Sequence, residues 1–224
     1  MTRAGENRAE LELFIESAKK THGDFGLRAA NFLVSNMPEK DLIQLSSQFL
    51  KENLDLAIKA RTEFTWCAKL PEELFFNDVL PYASLDETRE NWRPHFYEKC
   101  RKLVAKASTS TEAVQALNSK LINLINVHYN TGRKKPNQSP AESIAQSRAT
   151  CTGLSIILVD ACRSVGVAAR VVGTPLWTNK RGNHTWTEIW DEDWHFTGSD
   201  EYNSGGLNRG WFGGAASKAN KSNC

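Results

Sequence analysis

The sequence predicts an α+β protein: a helical N-terminal region, then a core in which one buried helix packs on an antiparallel sheet. Three observations carry this prediction. Apolar residues recur at helical spacing in the N-terminal part of the chain. Gln146-Ser147-Arg148-Ala149-Thr150-Cys151-Thr152-Gly153 is a short polar turn that opens straight into the apolar run Leu154 to Val159. Beyond it, residues 168–174, 184–190 and 194–197 read as strands, the last two joined by the polar turn Asp191-Glu192-Asp193.

Taken in order, residues 9–20 form an amphipathic helix expected to end before Gly23. Asp41 to Arg61 is expected as one helix, with Leu42, Leu45, Phe49, Leu54, Leu56 and Ile58 on its apolar face. Residues 66–97 are rich in Trp, Phe and Pro, and predict a chain that wraps over a surface in short turns, its aromatic side chains mostly packed. Thr109-Ser110-Thr111-Glu112 has capping-box spacing and should start a helix running to about Tyr129. Residues 131–139 read as a loop and as the best candidate for a mobile segment. Ser139-Pro140-Ala141-Glu142 is a second capping box with proline at the first helical position. The helix that begins at Cys151 should end near Gly166 in a left-handed cap. Residues 176–183 are a turn-rich approach to the strand His184–Trp190, whose alternation puts His184, Trp186, Glu188 and Trp190 on one face. Glycines then mark a looped C-terminal stretch around Trp211-Phe212. The expected division is a mainly helical region over 1–107 and a core over 108–224.

The 224 residues carry Lys+Arg 28 against Asp+Glu 26, without a basic stripe interleaved with aromatics, which argues against a nucleic-acid partner. No apolar run approaches the ~20 residues of a membrane span. The N-terminus Met1-Thr2-Arg3-Ala4-Gly5-Glu6 lacks the apolar core of a signal peptide, so a cytoplasmic location is the default, and secretion fits only if a leader has been removed. The cysteines Cys67, Cys100, Cys151, Cys162 and Cys224 are odd in number and widely spaced, which argues against a disulfide framework and a structural metal. Cys162 lies eleven residues along the helix from Cys151, about 16 Å away at 1.5 Å per residue, too far for the two to share a zinc ion with His184 and His195. No cofactor is expected.

Chemistry concentrates around Cys151. A helix N-terminus has unpaired N–H groups and a partial positive charge, so it favours a thiolate over a thiol. A histidine at the start of a strand, His184, and acids at Asp200 and Glu201 follow it in sequence. Nucleophile, base and orienting acid are the three roles that acyl transfer needs.

These residues carry a family resemblance. Thr150-Cys151-Thr152-Gly153 opening a helix, Gly166-Val167-Ala168-Ala169-Arg170-Val171-Val172, and Asn183-His184-Thr185-Trp186-Thr187-Glu188-Ile189-Trp190 followed by Trp194-His195-Phe196 resemble the core of the transglutaminase-like superfamily. These are papain-like cysteine enzymes, and residues 70–93 resemble the region before the core in a bacterial cysteine-peptidase branch. The resemblance implies a papain-like fold, a Cys-His-acid triad and a protein or peptide substrate. The family places its acid four residues after the returning-strand tryptophan, which here is Gly198. The bacterial branch maps its acid onto Glu201, whereas strand parity favours Asp200. A bulge at Gly198 tips the assignment towards Glu201, with Asp200 as the alternative.

The implied reaction is attack of Cys151 on a peptide or glutamine-type amide, with His184 protonating the leaving amine and the Cys151 N–H helping to bind the oxyanion. Gln146 is a candidate second oxyanion donor, and Trp177 and Trp186 are candidates for substrate contact. Water as acceptor gives hydrolysis and an amine gives transamidation; the sequence leaves both open, and the oligomeric state with them. The alternative is a non-catalytic protein- or glycan-binding module on the same fold, against which stands the presence of all three residue types.

Overall fold

A computed structural model describes residues 2–179 and 182–218; Lys180 and Arg181 of the 176–183 turn, and Cys224, lie outside it. The fold is α+β, with a helical N-terminal region and a small antiparallel sheet.

Helix α1 (Arg8–Asn36) does not end before Gly23 as expected. It kinks there, with Gly23 at φ 62°, and resumes. The second half continues because Ala29, Ala30 and Leu33 bury a further apolar face. The single helix expected over 41–61 is two, α2 (Glu39–Leu42) and α3 (Ser47–Glu63). Local polar bonds divide them. Ser46 caps α3 by accepting from the Phe49 N–H, and the Asn7 amide donates to the carbonyls of Leu42 and Leu45. Buried Asp41 accepts from the Tyr82 hydroxyl and from Arg89 Nε, each at 2.9 Å.

The aromatic segment wraps in short turns through α4 (Thr65–Ala68) and α5 (Glu72–Asp78) to α6 (Trp92–Leu103). Its role is to hold the far end of the central helix. Trp66 Nε1 donates to the Val165 carbonyl, and the fully buried Arg93 donates to the carbonyls of Arg163, Val79, Leu80 and Pro81 and to Asn53 Oδ1. A guanidinium at a helix C-terminus is favoured by the helix dipole, and here no water competes for its donors.

The helix expected over 109–129 is also broken. Thr109 caps α7 (Ser110–Asn118); α8 (Leu121–Ile125) follows and is stopped by Asn126 in the left-handed region, φ 53°. The chain then enters β1 (His128–Tyr129), which pairs in parallel with β2 (Arg148–Ala149). Between them, α9 (Pro140–Gln146) starts in the full capping box expected at Ser139 and Glu142.

The central helix α10 (Cys151–Ser164) is buried from Gly153 to its last residue, as an apolar helix must be to pack on both sides. It ends before Gly166, which has φ 72°. The sheet of β3 (Ala169–Thr174), β4 (His184–Trp190) and β5 (Trp194–Thr197) is antiparallel in that order. Its registers pair Val171 with Thr187 and Ala169 with Ile189, and this face joins the main core around α10. The opposite face carries Val172, His184 and Trp186, closed by Trp177 and by Phe212, the residue before the short α11 (Gly213–Ala216). No helix of the described residues is long and apolar enough to cross a membrane.

Candidate active site

Cys151 is the first residue of α10, partly buried, and its helix is preceded by Thr150, whose side chain makes no capping bond. The N–H groups of the first turn therefore keep their partial positive charge uncapped. Thr152 Oγ1 meets Thr185 Oγ1 at 3.0 Å, tying the start of α10 to the start of β4, one residue from His184. A cavity of about 580 Å³ lies at this junction. Cys151, His184, Asp200 and Glu201 all line it, with Thr150, Thr152, Asn183 and Thr185, and with Tyr129, Thr131 and Arg133 from β1 and the loop after it.

His184 is only 7% exposed. Its ring centroid lies 4.8 Å from Trp211, 4.6 Å from Phe212, and 6.2 Å from both Trp177 and Trp186. This aromatic surround withdraws the imidazole from water and pushes its pKa down to about 4. Nε2 is buried and has no hydrogen-bond partner among the described residues. Trp177 and Trp186, expected to contact substrate, do not line the cavity. They flank the imidazole, because strand alternation turns Trp186 to the same face as His184 and the chain after β3 folds Trp177 back over it.

The acids sit in a turn that departs from strand geometry. The Glu201 N–H donates to the Gly198 carbonyl at 3.2 Å, and Asp200 is left-handed at φ 66°. Parity would have put Asp200 on the His184 face, but the turn cancels parity from Gly198 onward. Glu201 instead folds over Gly198. A Cβ at 198 would lie 2.3 Å from Glu201 Oε2 and 2.9 Å from Glu201 Cβ, so the glutamate side chain fills the volume a residue at 198 would need. Only glycine leaves that space free. The Glu201 carboxylate thus lies against Gly198, the residue at the sequence position where the resemblance puts the family's acid. That carboxylate accepts from Trp211 Nε1 at 3.1 Å, and among the described residues neither acid forms an ion pair with His184. Burial pushes the Asp200 carboxyl up, with His128 opposing.

Asn118, from α7, holds this turn. Its amide donates to Thr197 Oγ1 and to the Gly198 carbonyl, and its Oδ1 accepts from the Asp200 N–H. Nothing in the local sequence marks it, since the contact spans about eighty residues. Trp211 was legible only as an aromatic in a glycine-rich loop, yet it is 68% exposed at the cavity. Gln146, expected as an oxyanion donor, is turned elsewhere: its Nε2 donates to Gln138 Oε1 and the Glu142 carbonyl, its Oε1 accepts from the Lys134 N–H, and it does not line the cavity. Buried Gln138 completes that cluster by donating to Ser143 Oγ and the Arg148 carbonyl, and so ties down the 131–139 loop. His195 bonds to the Asp191 carbonyl and the Asn208 amide, away from the cavity.

No curated protein matches the chain. A solved structure, described as that of a candidate cysteine protease from Cytophaga hutchinsonii, aligns at 20% identity with a TM-score of 0.46, over 65% of this chain and 48% of the other. The chain thus spans about half the length of that structure. The family model of the transglutaminase-like superfamily matches residues 97–211, just over half of the 224-residue chain and the stretch from α6 through the acid-bearing turn to Trp211. The chain belongs to the transglutaminase-like superfamily.

Proposed function

We propose that the chain is a cysteine-dependent acyl-transfer enzyme acting on peptide or glutamine-type amides. The observation that carries the reading is the convergence of Cys151, His184, Asp200 and Glu201 on one cavity at an uncapped helix N-terminus. Cys151 Sγ adds to the amide carbonyl as His184 takes its proton, and the first-turn N–H groups of α10 donate to the developing oxyanion. His184 then gives that proton to the leaving amine, and the thioester passes its acyl group to water or to an amine.

The third role falls to Glu201. An imidazole whose buried Nε2 has no partner among the described residues resists the positive charge this cycle requires, and a carboxylate on Nε2 removes that resistance. In the conformation described, Glu201 is held by Trp211. The proposed cycle transfers it from the indole to Nε2 as substrate enters, while Asp200 remains fixed at its backbone by Asn118. The same partnerless imidazole favours the second reading, a non-catalytic binding module. Labelling with an electrophilic peptide-amide probe separates the two. Catalysis predicts adducts at Cys151 that His184→Ala abolishes and Glu201→Gln slows by orders of magnitude, with Asp200→Asn mild. Unchanged labelling in both His184→Ala and Glu201→Gln would leave only the binding module.

A further inference from the structure

Resting on the reading of Cys151 as nucleophile, we propose that its cavity selects substrates carrying a carboxylate beside the amide under attack, and that Arg133 recognises it. Arg133 lines the cavity with Cys151 and His184. Its one hydrogen bond among the described residues runs from Nη1 to the Thr131 carbonyl, 3.1 Å. Nε is buried and has no partner among the described residues, so the guanidinium is partly withdrawn from water, and no described carboxylate lies within ion-pair distance. A partly buried cation without a counter-charge gains from a ligand that supplies one.

Its neighbour shows the contrast. Lys135, two residues on, is neutralised by Glu142 at 2.8 Å and also donates to Thr88. The loop presenting Arg133 is held in place: the Gly132 N–H donates to Asn130 Oδ1 and the Lys134 N–H to Gln138 Oε1. The remaining charges of the cavity are the acids Asp200 and Glu201. They repel an incoming carboxylate and leave Arg133, the one Lys or Arg side chain among the described residues that line the cavity, as its seat. A guanidinium fork binds a carboxylate through two parallel N–H bonds, a geometry that lysine does not offer.

The source of the carboxylate is an acidic side chain or a free C-terminus, and the chemistry at Arg133 is shared. The test compares alkylation of Cys151 by iodoacetate and iodoacetamide, reagents of nearly equal size that differ by one charge. In both, Sγ displaces iodide and forms one S–C bond. The ratio of the two rates is divided by the same ratio for N-acetylcysteine. The expected value is roughly tenfold in favour of iodoacetate, the strength of one charge-assisted bond. Arg133→Gln brings it to about one and Arg133→Lys to a value between. A ratio at or below one in the unmodified protein overturns the proposal without any variant, as does a ratio that Arg133→Gln leaves unchanged; in both cases selective reaction of Cys151 still upholds the nucleophile. If Cys151 reacts with neither reagent ahead of the buried cysteines, the nucleophile reading itself falls. Chloroacetyl-Glu-amide and chloroacetyl-Gln with a free carboxylate, each against chloroacetyl-Gln-amide, then distinguish side chain from terminus; equal rates for all three overturn the proposal.

Discussion

Selective alkylation of Cys151 is the sharpest test of the nucleophile. Cys67, Cys100 and Cys162 are completely buried. Burial pushes the Cys67 and Cys100 thiols up to about 12 and the Cys162 thiol well above its ordinary range. A thiol titrating at about 12 is ionised to roughly one part in 10⁴ at pH 8. Only the thiolate attacks iodoacetamide, so Cys67 and Cys100 are slowed by that factor, and Cys162 is slowed in the same direction, even before the cost of opening the core to admit the reagent. Cys151 lies in a cavity open to reagent, at the start of a helix. Brief exposure at pH 8, quenching and peptide mapping should place label on Cys151 at least about 10³ times faster than on the other three. Cys224 lies outside the described residues, so the parent for this assay carries Cys224→Ser. Comparable labelling of all four, or labelling of Cys151 only in denaturant, would refute the reasoning, because either result means that Cys151 is as enclosed as the rest.

Three further outcomes are expected. Gly198→Ala places a Cβ at 2.3 to 2.9 Å from atoms of the Glu201 side chain, which must swing off Gly198; this should cost about 1 kcal/mol or less in thermal unfolding and slow the peptide-amide probe, and a parent-like labelling rate would mean that the cycle does not use the place of Glu201 over Gly198. Asn118→Ala removes two donors and one acceptor from the acid-bearing turn and should cost about 1–3 kcal/mol, with a larger loss in labelling rate than Gln146→Ala, whose amide serves the neighbouring loop. The pH dependence of stability carries two opposed signs. His184, lowered to about 4, binds its proton less readily than the unfolded chain, so it removes stability as pH falls from about 6.5 towards 4. Burial raises Asp78 to about 6, so it binds its proton more readily than the unfolded chain and removes stability as pH rises through about 6. His184→Gln should therefore melt with less loss than the parent between pH 6.5 and 4.5, and Asp78→Asn with less loss between pH 5 and 7; the reverse order in either comparison would contradict the burial of that group.

What the sequence determined by itself was whatever depends on near neighbours. The capping box at Ser139 and Glu142, the start of α10 at Cys151, its end before Gly166, and the hairpin of β4 and β5 all rest on interactions a few residues apart, so spacing was enough to find them. Even there, tertiary demands rewrote the helices. Asp41 is drawn into a buried bond with Tyr82, and Asn7 satisfies the carbonyls left open between α2 and α3, which periodicity over 41–61 had no means to show. The site divides in the same way. Cys151 and His184 were legible because each sits at the start of its own regular element. Where Asp200 and Glu201 lie was visible only in three dimensions, since the turn at Gly198 cancels strand parity and lets Glu201 fill a space another residue would occupy. Trp211 on Glu201, Asn118 under the turn and Arg133 in the cavity that Cys151 lines are set by packing between distant segments. Local sequence fixes which groups a short segment exposes; which of them meet depends on how the segments pack, and packing energy is shared across the whole core.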